Sequence, residues 1–76
     1  MTLYFFDAHT ATGTRYDYIG RRCKSEEDAH YMAQLVALDL GTTDPSFWAG
    51  ASVQVRNTAG KQLFSVCVPE LDTVAA

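Results

Sequence analysis

The stretch YFFDAHTATGTRYDYIG, residues 4 to 20, holds Asp7, His9, Arg15 and Asp17 on either side of a run of small residues. A carboxylate beside an imidazole is the beginning of an acid–base pair, and a histidine with two aspartates is the beginning of a metal site. Neither is complete here. A metal asks for three or four ligands in a closed geometry, and only one other histidine exists, His30, on the flank of a helix. Acid–base catalysis asks for a water-poor cleft, whereas the outer face of a small hairpin is wet. These residues are therefore expected to form a solvated polar face, with Asp17 shaping a turn near Gly20.

No other catalytic arrangement is in view. Ser25 is used at a helix start, and Ser46, Ser52 and Ser65 stand in no nucleophile motif. No glycine-rich phosphate loop occurs. Cys23 and Cys67 lie far apart, without the close spacing of a zinc or redox motif, and are expected to be reduced and packed away. The expectation is a protein that is not an enzyme, with no cofactor and no metal.

These residues must be carried by a small body. A chain of 76 residues, 47% hydrophobic and 20% charged, is read as one domain over 1–76, with an ordered core of about 2–69. A net charge of −3 argues against general nucleic-acid binding. Neither a membrane-length apolar run nor a basic leader with an apolar stretch is seen, so the expected location is the cytoplasm, away from membranes.

Residues 2 to 9, TLYFFDAH, read as a strand, TATG as its turn, and residues 14 to 20, TRYDYIG, as the returning strand. Alternation places Tyr4, Phe6 and Ala8 on one face and Phe5, Asp7 and His9 on the other. A helix then opens at Ser25, a residue with N-cap chemistry, with Glu26, Glu27 and Asp28 in its first turn and Gly41 as its stop. Ala29, Met32, Ala33, Val36 and Leu40 recur at spacings of three and four, a stripe meant for a sheet. ASVQVRN and KQLFSVCV form a second hairpin, with Ala51, Val53 and Val55 inward. For Phe64, Val66 and Val68 to share that face the loop must be even, and four residues, 57 to 60, are expected. Pro69 ends the last strand and ELDTVAA is read as a loose tail.

The resulting class is α+β, in the order ββαββ: two β-hairpins forming a four-stranded antiparallel sheet with one helix packed on one face. Three stretches in this order carry a resemblance: YFF in the first strand, DYIG at 17 to 20 before a Ser-capped helix with Ala29 and Ala33, and VRNTAGKQLFSV at the end. Over about residues 3 to 68 the chain resembles short bacterial domain-of-unknown-function proteins of rhizobia and related alphaproteobacteria. Their pattern is YFF, D..G, an alanine-rich helix and VRD..G. The resemblance implies a small ββαββ unit and no particular chemistry. Asn57 stands where that pattern has aspartate, and the helix is richer in large apolar residues than the pattern implies.

Two surfaces remain as candidates. On the helix, Tyr31, Leu35 and Leu38 form a second apolar stripe, roughly opposite the first. Either the following segment covers it with Phe47 and Trp48, or Leu71 and Val74 do, or it is an interaction face, most simply of a homodimer. Phe5 belongs to the same candidate interaction surface. The alternative is a contact with single-stranded RNA, as in an antitoxin-like regulatory domain. It would use the aromatic hairpin (Tyr4, Phe5, Phe6, Tyr16, Tyr18) and a basic strip of Arg15, Arg21, Arg22 and Lys24.

Overall fold

A computed structural model describes residues 1–69. Its elements are β1 (Thr2–Thr10), β2 (Gly13–Arg15), β3 (Arg21–Cys23), α1 (Glu26–Thr43), α2 (Pro45–Trp48), β4 (Ser52–Arg56) and β5 (Gln62–Cys67). The sheet is antiparallel with path order β2-β1-β4-β5, and β3 also pairs with β1. The α+β class holds. The expected returning strand over 14 to 20 does not: β2 leaves the ladder after Arg15, and the chain rejoins β1 only at Arg21, opposite Tyr4.

One carboxylate explains this interruption. Between the two short strands the Phe6 N–H has no strand opposite it, and it donates instead to Asp17 Oδ2 at 3.1 Å. A buried-edge amide left unpaired would be costly, so Asp17 substitutes for the absent carbonyl. Its Oδ1 accepts from Ile19 and Gly20 N–H, both at 3.0 Å, which closes residues 17 to 20 into a turn. Gly20 has φ +78, and a Cβ there would come within 2.9 Å of the Tyr4 carbonyl oxygen. Only glycine accepts that angle and that approach together.

The Ser25 cap is as expected, its Oγ accepting from Asp28 N–H at 3.1 Å. Asp28 Oδ2 in turn accepts from Lys24 N–H at 3.2 Å, a capping box displaced by one residue. Ala29, Ala33, Ala37 and Gly41 are buried along one line of α1, with Met32, Val36 and Leu40 half-buried beside them. Small residues at spacing four let the helix backbone come close to the sheet, where Val53 and Val55 are fully covered.

Gly41 is not the helix stop. It lies inside α1, and a Cβ on it would be 3.1 Å from both the Pro69 carbonyl oxygen and Val68 Cγ1. The stop is Asp44, whose N–H still reaches the Leu40 carbonyl at 3.1 Å, followed by Pro45, which has no N–H to continue the ladder. Asp44 Oδ1 then caps α2 through Phe47 N–H at 3.2 Å.

The second hairpin reaches the expected face by another route. Arg56 pairs with Gln62, leaving the odd number of residues 57 to 61 between them, while Val55 pairs with Phe64. Leu63 is the extra residue of a bulge, and that bulge restores the parity an odd connection would lose. Asn57 Oδ1 organises the turn by accepting from Ala59 N–H at 2.9 Å and Lys61 N–H at 3.0 Å. The tail beyond Pro69, with Leu71 and Val74 as covers for the helix stripe, lies outside the described residues.

Candidate functional site

The outer sheet face carries Asp7 and His9, two of the residues that first suggested chemistry, with Asp17 in the loop beside them. Asp7 sits on β1 opposite Gln54 of β4, and Phe5 sits opposite Arg56. The alternation of β1 puts Asp7 on the solvent side, but it is only 3% exposed. Arg56 Nε donates to Asp7 Oδ2 at 2.7 Å, and the Asp17 N–H donates to Asp7 Oδ1 at 2.8 Å. Arg56 Nη2 reaches the Asp17 carbonyl oxygen at 3.0 Å, and its guanidinium carbon lies 4.5 Å from the centre of the Phe5 ring. A buried carboxylate is tolerated because each oxygen has a charged or amide donor.

This constellation is fully occupied with itself. Burial would push the Asp17 carboxyl up, yet the Gly20, Ile19 and Phe6 amides, with the charge of Arg21, outweigh it and hold the group below its ordinary range. His9 Nδ1 is 3.0 Å from Thr14 Oγ1 across the β1–β2 pair. His30 is on α1, edge-on to Phe64 at 5.1 Å. No group of three His, Cys, Asp or Glu side chains able to hold a metal occurs among the described residues. Asp7, Asp17 and Arg56 tie the two hairpins together; they do not present a free acid, base or ligand.

The basic strip separates in space. Arg15 pairs with Ala8 and Arg21 with Tyr4, which turns both toward the helix side of the sheet, while Arg22, opposite Leu3, takes the other side. Arg21 Nη1 lies 4.0 Å from Met32 Sδ on α1. Lys24 is exposed just ahead of the helix. Tyr16 and Tyr18 are exposed with ring centres 6.5 Å apart, but Tyr4 and Phe6 are core residues and Phe5 is half-buried under Arg56.

The apolar candidates divide as well. Trp48 is 7% exposed and packs in the core, not on the exposed helix stripe. Phe47, edge-on to Trp48 at 4.8 Å, is exposed. Both rings lie 5.7 Å from the Arg15 guanidinium carbon. Phe47 and Trp48 do not cover the helix stripe, which was one of the alternatives: Tyr31, Leu35 and Leu38 are 58%, 42% and 47% exposed. Of the cysteines, Cys23 is buried as expected and Cys67, at the end of an edge strand, is exposed.

The residue that sequence reasoning missed is Arg56, which alternation marks only as an outward position. Its signal was present: opposite Phe5 on the same face and next along that face to Asp7, it is a basic group within reach of that carboxylate. No helix among the described residues is long and apolar enough to cross a membrane. No curated protein and no solved structure matches the chain. A family model described as Domain of unknown function (DUF6894) matches residues 3–69, a span that takes in YFF, DYIG and VRN and so the whole Asp7, Asp17 and Arg56 network. The chain belongs to the DUF6894 family.

Proposed function

We propose that this chain is a non-catalytic protein-interaction module whose contact surface is the outward face of α1. The observation that carries this reading is Tyr31, Leu35 and Leu38, exposed in one line on a helix whose opposite line is already filled by the sheet. Fully burying an exposed leucine is worth roughly 1.5–3 kcal/mol, and with about half of each side chain still exposed the stripe offers a partner about half of that per residue.

The charge around the stripe is acidic on balance and favours a partner of opposite charge. Glu27 and Asp28 flank its N-terminal end, where Lys24 also borders Tyr31, and Asp39 flanks its C-terminal end, while α1 itself contains no lysine or arginine. A second copy packed antiparallel would bring Asp39 of one chain toward Asp28 of the other. A heterologous surface that is apolar along its centre and basic at its edges fits better. Single-stranded RNA is less well served, given a net charge of −3, a divided basic strip and Phe5 beneath Arg56.

The test is a synthetic amphipathic helix with leucine along one face and lysine on both flanks. It should bind the wild-type chain and lose at least ~10-fold in affinity against Leu35→Glu. A version with glutamate flanks should not bind. Equal binding to wild type and Leu35→Glu would refute the surface. A wild-type dimer by sedimentation that Leu35→Glu splits would reassign the occupant to a second copy.

A further inference from the structure

The departure of residues 16 to 20 from the ladder leaves the helix–sheet wedge open at one edge. The opening is a groove of about 560 Å³ floored by Phe6, Val36, Leu40 and Trp48, with Arg15 and Arg21 at the two ends of the loop that forms its wall. That volume lies within the ~300–1,000 Å³ of small-ligand clefts. Ile19, 86% exposed, stands at the lip. This groove is on the sheet-facing side of α1, away from Tyr31, Leu35 and Leu38, and is independent of the interaction surface proposed above.

Its polar lining is selective. Arg15 and Arg21 are in no ion pair among the described residues, where Arg56 with Asp7 is the salt bridge formed. Asp17 also borders the groove, but its oxygens already accept the Phe6, Ile19 and Gly20 amides. The side chains therefore offer two guanidiniums, that of Arg15 lying against Phe47 and Trp48, and one carboxylate, Asp17, that is already bonded and feels the charge of Arg21. The Ile19 and Gly20 N–H groups are spent on Asp17. An anionic head and an apolar body are what remain to be matched.

We propose that this groove binds a small hydrophobic carboxylate, its hydrocarbon body along Val36, Leu40 and Trp48 and its carboxylate at the Arg15 and Arg21 rim. Trp48 is the chain's single tryptophan, so its fluorescence reads the floor directly. Decanoate, below its micelle concentration, should shift that emission saturably, and decanol, of the same chain length without the charge, should bind at least ~10-fold more weakly. The double variant Arg15→Met, Arg21→Met keeps apolar stems and should lose decanoate affinity by at least ~10-fold while decanol is unaffected. Amide chemical-shift changes in the wild type should gather at Ile19, Gly20, Val36 and Leu40. Equal affinity for decanol and decanoate, or shifts gathered instead at Tyr31, Leu35 and Leu38, would overturn the proposal. Both of those readings use the wild-type chain, so they decide the matter even where the double variant fails to fold.

Discussion

Arg56 and Asp7, 49 positions apart in the chain, meet at 2.7 Å on the outer face of the sheet, and the Asp17 backbone joins them from both sides. The side chain of Arg56 is 24% exposed and that of Asp7 5%, so this pair is largely withdrawn from water. Removing one partner of such a pair leaves the other uncompensated. Arg56→Met should lower the unfolding free energy by about 2–4 kcal/mol, measured by urea denaturation. Adding Asp7→Leu to it should recover a large part of that loss, because two apolar groups replace the pair without an orphaned charge.

Asp17 makes stability depend on acid. Its carboxyl is held below the ordinary range in the folded chain, so the unfolded chain binds more protons across the acidic window. The stabilisation is complete above the unfolded aspartate value of ~3.9 and is lost as pH falls through the lower folded value. Thermal midpoints of wild type should fall through this window, and those of Asp17→Asn should fall less steeply. The same substitution should also lower stability at neutral pH by about 1–2 kcal/mol, since an amide can no longer offer acceptors to three N–H groups on both of its ends.

Gly20→Ala should be among the most damaging single changes of a small residue. It combines a positive φ with a Cβ placed at 2.9 Å from the Tyr4 carbonyl and Leu3 Cδ1. A loss of about 2 kcal/mol or more is expected from chemical denaturation. Gly60→Ala, at φ +85 with open space around it, should cost about 1 kcal/mol, which separates the angle from the collision.

The two thiols should react at very different rates. Burial and the charge of Asp28 push the Cys23 thiol up, against a smaller pull from Arg21, whereas Cys67 is exposed. An aromatic disulfide reagent should therefore label one thiol promptly and the second only as the chain opens. Cys67→Ser should remove the fast phase and leave the slow one.

Asn57→Asp should be nearly neutral, within about 0.5 kcal/mol, because the Ala59 and Lys61 amides need one side-chain oxygen and a carboxylate supplies it. Asn57→Ala removes that oxygen and should cost about 1 kcal/mol by thermal melting.

Local chemistry was enough to read much of this protein from its residues. Ser25 with Glu26, Glu27 and Asp28 marks a helix start, because an N-cap and its first turn are neighbours in the chain. The alternation of Ala51, Val53 and Val55 and the Ala29, Met32, Ala33, Val36 and Leu40 stripe mark the two faces of one core, because periodicity is set by backbone geometry alone. The exposed line of Tyr31, Leu35 and Leu38 follows from the same periodicity.

What tertiary structure decided are the matters that depend on who arrives opposite whom. TRYDYIG has the composition of a strand, and it leaves the ladder because one Asp17 side chain can satisfy both Phe6 and its own turn. Gly41 has the chemistry of a helix stop and is instead a close contact with Val68 and Pro69, which come from the far end of the described chain. Trp48 has the look of a contact residue and is a core residue, because Asp44 and Pro45 turn α2 inward. Asp7 became a buried ion only when Arg56 reached it across the sheet, since a charge's environment is set by its distant neighbours and not by its own segment.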